Sequence, residues 1–378
     1  MKIVSLGGGT GLSTLLKGLK TFLHDEWAGD LLEVVLEKAY GESAPSVTEL
    51  CAVVAVSDDG GSSGRLRREF QVLPPGDIRN CMVALSEDEA LLSRLFQYRF
   101  TTGQGLKGHS FGNLFLTALT GVTGDFQEAV RVSGEVLAIR GRIYPSTITN
   151  VRLKAVLEDG RIVKGETMIS HSRRPIKRIR LSPSQCRPMP QTLEAIRQAD
   201  AITLGPGSLY TSLIPNLLVR GIPAALEQSH AARIYICNLM TQPGETAHYS
   251  AADHLRAIHE HCGRPLYDYV LVNTTPISPA ARKRYRAQRS EPVVVDRPEL
   301  EKLGARVVEG DFVSEKRSGP AAARWVRHHS EKVARAVLDI AANHKYWATS
   351  TSQTLPAEPQ VPHPAPAVPA ARAREVVR

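Results

Sequence analysis

The sequence predicts an α/β fold: a mostly parallel sheet with helices on both faces, interrupted by one inserted antiparallel β-hairpin. Three observations point there. Short apolar runs at Lys2–Leu6 and Leu50–Ser57 each end in small residues and lead into helix-spaced apolar positions, the strand–turn–helix order of a βαβ unit. Further strands are expected at Ala201–Leu204, Arg233–Asn238, Tyr269–Asn273, Pro292–Asp296 and Arg306–Glu309, with helices between them. From Val151 to Ile169 the pattern changes to apolar–polar alternation on either side of the turn Glu158-Asp159-Gly160, which is a hairpin signal.

The first strand ends in GGGTG, Gly7–Gly11, and a helix follows over Leu12–Leu19. Free N–H groups and the helix dipole attract a pyrophosphate at such a start, so Gly8, Gly9, Thr10 and Gly11 are candidate phosphate contacts. Counting GxGxxG from Gly7 puts Leu12 where the third glycine belongs, which weakens a dinucleotide reading and leaves the phosphate reading intact. An acidic, partly amphipathic stretch, His24–Val47, reads as an inserted helix and loop. The second strand runs into VAVSDDGGSSGR, Val54–Arg65. Asp58 and Asp59 suit a ribose hydroxyl or a phosphate-bound divalent cation, and Arg65 suits a phosphate. Small residues including Ser62 and Ser63 let backbone N–H groups approach a ligand closely.

PPGDIRN, Pro74–Asn80, places Asp77 as cap of a helix over Ile78–Ser86, with Arg79 and Asn80 following a rigid turn. Ser110 caps the next helix, where Phe111, Leu114, Phe115, Ala118 and Leu119 share a face, and His109 and Asn113 remain as candidate ligand groups. Asp125 with Glu128 starts a helix through Ile139. The antiparallel excursion occupies 150–180 and ends in HSRRPIKRIR, His171–Arg180, read as a solvated basic loop. That segment lacks the aromatic residues that stack on bases. GPGSLYTS, Gly205–Ser212, is another glycine turn after a strand, offering Gly207, Ser208 and Thr211 to an anion, and CNLMTQPGET, Cys237–Thr246, ends a strand in polar residues that include Thr241. In an open α/β sheet such turns gather at the carboxyl ends of the strands, where ligands bind. A long helix, Ala321–His344, closes a domain spanning 1–345. The Pro/Ala-rich tail 350–378 has no apolar periodicity and is expected to be disordered.

Composition narrows the function. No apolar run approaches the ~20 residues that span a bilayer, and a strand beginning at Lys2 argues against a cleaved leader. Five cysteines without CxxC spacing indicate a reduced, cytoplasmic protein with no cysteine metal site. The net charge of +9 favours anionic partners: nucleotides, phosphorylated metabolites, nucleic acid or acidic lipid. No nucleophile elbow, HExxH or Walker lysine motif appears, so no residue announces itself as nucleophile or general base.

Taken in order, GGGTGLSTLLKGLK, SDDGGSSGRLR, PPGDIRNCMVALS, GHSFGNLFL, GPGSLYTSLIPNLL and CNLMTQPGET closely resemble the gluconeogenesis factor family (YvcK-type), which is related to 2-phospho-L-lactate transferase (CofD-type). The likeness covers about residues 1–340. It implies a Rossmann-like fold in a cytoplasmic bacterial protein that binds a nucleotide-sugar such as UDP-N-acetylglucosamine. It also implies a role in cell shape and cell-wall precursor supply during gluconeogenic growth. The resemblance places Tyr285 in RKRYR and Arg327 in WVRHH near the nucleotide-sugar, and its transferase side makes Asp58 a ligand for Mg²⁺. The resulting expectation is a non-enzymatic regulator, free to form homo-oligomers, that acts with regulatory or cell-wall proteins and neither inserts in a membrane nor binds nucleic acid. The alternative is a Mg²⁺-dependent transferase that moves a phosphate-bearing group from a nucleotide-activated donor.

Overall fold

The structure is a computed structural model and describes residues 1–24, 46–87, 90–315 and 325–351. Its central sheet runs β10-β9-β8-β7-β1-β2-β3, and every neighbouring pair is parallel. The strands are β1 (Lys2–Gly7), β2 (Glu49–Val54), β3 (Arg142–Pro145), β7 (Ala201–Leu204), β8 (Ala232–Ile236), β9 (Tyr269–Asn273) and β10 (Arg306–Gly310). Between β3 and β7 the chain builds a separate antiparallel sheet, β5-β4-β6, from β4 (Arg152–Leu157), β5 (Ile162–Lys164) and β6 (Ile176–Ser182). A two-residue pair, β11 (Val313–Ser314) with β12 (Arg327–His328), lies near the C-terminal end.

The central strands are apolar on both faces because helices cover both. The helix Gly9–Lys20 buries Leu12, Leu15, Leu16 and Leu19 and packs between the helices Gly76–Leu85 and Ser330–Thr351. Its crossing with the latter is very close: a Cβ on Gly18 would fall 2.1 Å from the carbonyl oxygen of Ser330. Two buried hydroxyls in the sheet pair with each other, Thr203 donating to Ser5 at 3.0 Å between β7 and β1.

Several boundaries differ from the sequence expectation. Pro292–Asp296 forms no strand and makes two isolated bridges, Met240 to Pro292 and Ser250 to Val294. Ile162–Ile169 is not one strand: β5 stops at Lys164, and a helix runs over Glu166–Ser172. The basic segment is not a loop at its C-terminal end, because Ile176, Ile179 and Leu181 supply a buried face and make it β6. β3 was not anticipated, since four residues ending in Pro145 are too short to show periodicity. The closing helix begins at Ser330, after β12. The ends of the expected insertion 24–47 meet, the N–H of His24 donating to the Val47 carbonyl at 2.8 Å. Its inserted helix and loop, and the tail beyond Thr351, lie outside the described residues.

Candidate functional site

From β1 the chain moves outward to β2 and β3, then returns to β7 and runs the other way through β8, β9 and β10. The strand order reverses between β1 and β7, and in such sheets the crevice above that point is where ligands bind. The turn after β1 meets the turn after β7 there. A Cβ on Gly11 would lie 2.2 Å from the Pro206 carbonyl oxygen, so only glycine lets the two turns touch. The turn after β8 is tied in by side-chain amides: Gly207 N–H donates to Asn238 Oδ1 at 3.3 Å, and Gln242 Nε2 donates to Ser208 Oγ at 2.9 Å.

The resulting cleft holds about 250 Å³ and is lined by Gly8, Gly9, Thr10, Gly11, Gly207, Ser208, Asn238, Thr241, Gln242, Tyr285, Arg327 and His328. Arg327 is exposed and forms no ion pair among the described residues, so its guanidinium is available to an anion. The Tyr285 hydroxyl accepts from the Val326 N–H at 3.1 Å, and its ring meets Trp325 edge-on, 5.9 Å between centroids. Enclosure holds the His328 pKa down at about 4, so the ring is neutral at physiological pH, with Nε2 3.1 Å from the Cys237 carbonyl oxygen. Thr241 lines the cleft but has a structural task as well, since its Oγ1 accepts from the Glu291 N–H and its carbonyl from Ser290 Oγ.

Carboxylates crowd the other side of the first turn, where a Cβ on Gly8 would sit 2.8 Å from Asp77 Oδ2. Asp77 is not the helix cap expected of it. The helix starts at Gly76 without a side-chain cap, and the Asp77 carboxylate accepts the Gly9 N–H while burial pushes its pKa up to about 6. Burial also raises Asp58, whose Oδ1 accepts the Gly60 N–H at 2.8 Å and which takes a second hydrogen bond from Ser63. Asp59 accepts the Thr167 N–H and Oγ1, both at 2.9 Å, and so joins this loop to the helix Glu166–Ser172. Two acids absent from the sequence reading complete the group. Glu166 is pushed well above the carboxyl range, first by burial and then by Asp58, Asp77 and Glu245. Glu245 is raised by burial although it accepts from Thr211 Oγ1 at 3.0 Å and the Tyr210 N–H at 3.2 Å. Thr211 is therefore turned away from the cleft.

Among the described residues no three or more His, Cys, Asp or Glu side chains are arranged to hold a metal ion. Mg²⁺ is commonly held by one or two carboxylates, with phosphate oxygens and water filling its shell. Asp58 is the carboxylate expected for that role; it is not among the residues lining the cleft, its Oδ1 accepts the Gly60 N–H, and burial disfavours its charged form.

The remaining sequence candidates scatter. Ser62, His109 and Asn113 form a buried chain in which Asn113 Nδ2 donates to Ser62 Oγ at 3.1 Å and Ser62 meets His109 Nδ1 at 2.9 Å. Arg79 is buried, not on the surface, and donates to Ser110 Oγ at 2.5 Å and Asn80 Oδ1 at 2.6 Å. Asn80 faces an adjoining hollow of about 400 Å³ that shares Thr10, Thr14 and Arg327 with the cleft. Arg65 reaches outward to the Lys107 carbonyl at 2.8 Å. Arg67, unremarked in the sequence, is buried and pins the Asp58 loop to the start of β4, donating from Nε to Asn150 Oδ1 at 2.9 Å and from Nη2 to the Val151 carbonyl. A larger groove of about 1180 Å³ lies between β10 and the helix Ser330–Thr351. It lies away from the turns that meet at the strand-order reversal, so the smaller cleft is the candidate site.

The protein-family model described as 2-phospho-L-lactate transferase CofD matches residues 3–313. The chain is 46 % identical over 337 residues to the gluconeogenesis factor of Halalkalibacterium halodurans, covering 89 % of this chain and 95 % of that one. It is 44 % identical over 339 residues to the gluconeogenesis factor of Bacillus subtilis, covering 90 % and 98 %. A crystal structure of a Bacillus halodurans protein superposes with a TM-score of 0.80 at 46 % identity, covering 89 % of this chain and 99 % of that chain.

Proposed function

The chain belongs to the CofD family, alongside relatives named gluconeogenesis factors, and on that premise we propose that it binds a nucleotide-sugar of the UDP-N-acetylglucosamine kind and acts as a regulator. The observation that carries this reading is the meeting of three polar turns at the strand-order reversal, with Arg327 and Tyr285 on the same cleft. The diphosphate lies over Gly8–Gly11 and Gly207, where N–H groups and the helix start favour negative charge. A cleft of about 250 Å³ is too small for a whole nucleotide-sugar, and two hollows extend it. One, of about 380 Å³, shares Asn238 and Leu239 and offers Val272, Ile277 and Val295 to a nucleobase. The other is the polar hollow of Thr14, Lys17 and Asn80, which suits a sugar. In the cell this ligand reports the supply of cell-wall precursors, and the protein passes that signal to cytoplasmic regulatory or cell-wall proteins that set cell shape during gluconeogenic growth.

Mass spectrometry of small molecules released from the purified protein, followed by calorimetric titration, tests the reading. A UDP-sugar is expected, unaltered after incubation. NAD binding tenfold tighter, a difference of about 1.4 kcal/mol, would overturn it. The carboxylates beside Gly8 favour a second reading, a Mg²⁺-dependent transferase with Asp58 on the cation. Consumption of a nucleotide-activated donor once an acceptor and Mg²⁺ are supplied would select that reading.

A further inference from the structure

We propose that the outward face of the β5-β4-β6 sheet docks the protein on an anionic bilayer surface. The cross-strand register sets Lys154 opposite Lys164 on one side and opposite Arg180 on the other, so one row across three strands is entirely cationic. The next row sets Val156 opposite Ile162 and Arg178, and Arg152 extends the charge on β4. The inward residues Leu153, Ala155, Ile179 and Leu181 are buried, which fixes the cations on the outer face. None of these five cations forms an ion pair among the described residues, whereas nearby Arg161 and Arg174 both reach Asp159. Like charges directly opposite one another destabilise a sheet, so the fold holds this row against its own stability.

The surface has two parts, and both match lipid. Lysine and arginine near an anionic leaflet gain electrostatic attraction that decays within a Debye length. Ile162 is 63 % exposed and adjoins Val156, an apolar strip beside the cationic row that can enter the headgroup boundary. A single-stranded nucleic acid would call for aromatic platforms, and this face carries none. Among the described residues no helix is long and apolar enough to cross a membrane, so the association is peripheral.

The test is sedimentation of the full chain with vesicles of phosphatidylcholine alone or mixed with phosphatidylglycerol. Binding is expected only with phosphatidylglycerol, and it should fall away as salt rises from about 0.05 to 0.5 M. Lys154→Glu with Arg180→Glu should weaken vesicle binding tenfold or more without lowering the melting temperature, because both side chains lie on the outer face. The same charge change at exposed Arg68 and Arg94, on other elements, should leave most of the binding, which separates this face from net charge. Ile162→Ser should weaken binding several-fold while keeping its salt dependence. Equal loss from the Arg68/Arg94 variant, absence of vesicle binding, or tighter binding of a single-stranded oligonucleotide than of vesicles would each overturn the proposal.

Discussion

The carboxylate of Asp77 accepts a hydrogen bond from the backbone N–H of Gly9, so the glycine turn faces a buried acid before any anion arrives. Burial raises that acid from 3.8 to about 6. Below about pH 4 the folded and unfolded chains both carry the proton. Between 4 and 6 the unfolded chain releases it first, so folding stability falls as pH rises, by roughly 3 kcal/mol in all. Asp77→Asn removes this penalty. The expected outcome is a variant that melts with the wild type near pH 4, increasingly above it up to about pH 6, and by a constant margin from there to pH 7. Parallel melting profiles would refute the assignment.

Gly11→Ala and Gly18→Ala form an informative pair. Both added methyls meet a backbone carbonyl, of Pro206 and of Ser330 respectively, and overpacking of this kind costs about 1–3 kcal/mol. Gly11 separates the two turns of the cleft, whereas Gly18 separates two helices. Comparable losses in melting temperature are expected from both, with UDP-sugar affinity lost chiefly in Gly11→Ala. Calorimetry on both variants decides it, and an equal effect on affinity would count against the cleft.

Arg79 carries a structural load. Truncation to alanine removes buried, charge-assisted hydrogen bonds to the helix cap Ser110 and to Asn80. Bonds of this kind are worth roughly 1.5–3 kcal/mol each. Chemical denaturation should show a loss of at least that size, and Arg79→Lys should not restore it, because an ammonium cannot reproduce the planar fork. A variant as stable as wild type would return Arg79 to the ligand.

Arg327 is the opposite case. It is exposed in the cleft, so Arg327→Ala should leave the melting temperature within about a degree and weaken UDP-sugar binding by roughly 1.5–3 kcal/mol. Unchanged affinity would remove the cation from the proposed phosphate site.

How much of this was legible in the sequence follows from where the information is local. The glycine turns after β1 and β7 could be read because an apolar strand, small residues and a helix start are contiguous in the chain. Ser110 and Asp125 are caps as read, each accepting an N–H three residues on. Asp77 misled because an acid at a helix start mimics a cap, and only the approach of Gly9 reveals its partner. Glu166 and Glu245 were illegible for a related reason: they join Asp58 and Asp77 from segments far apart in the chain. β6 was hidden because its buried residues do not alternate throughout: Ile176 and Ile179 are three apart, where the register against Val156 and Leu157 shifts, and only Ile179 and Leu181 keep the period of two.

The position of β1 in the sheet bears on how the protein is made. β1 is bonded to β2 on one side and to β7 on the other. During synthesis β2 emerges early, but β7 follows only after the antiparallel sheet has been translated. Until then the growing chain displays an apolar strand with one open edge, a hazard that chaperones answer. The cleft waits longer still, because Tyr285, Arg327 and His328 all follow β9 in the chain. A stalled ribosome therefore holds a chain with its first glycine turn but no cleft to close over a ligand. If the proposed ligand binds in the cleft, its mass-action stabilisation becomes available only once β12 has formed.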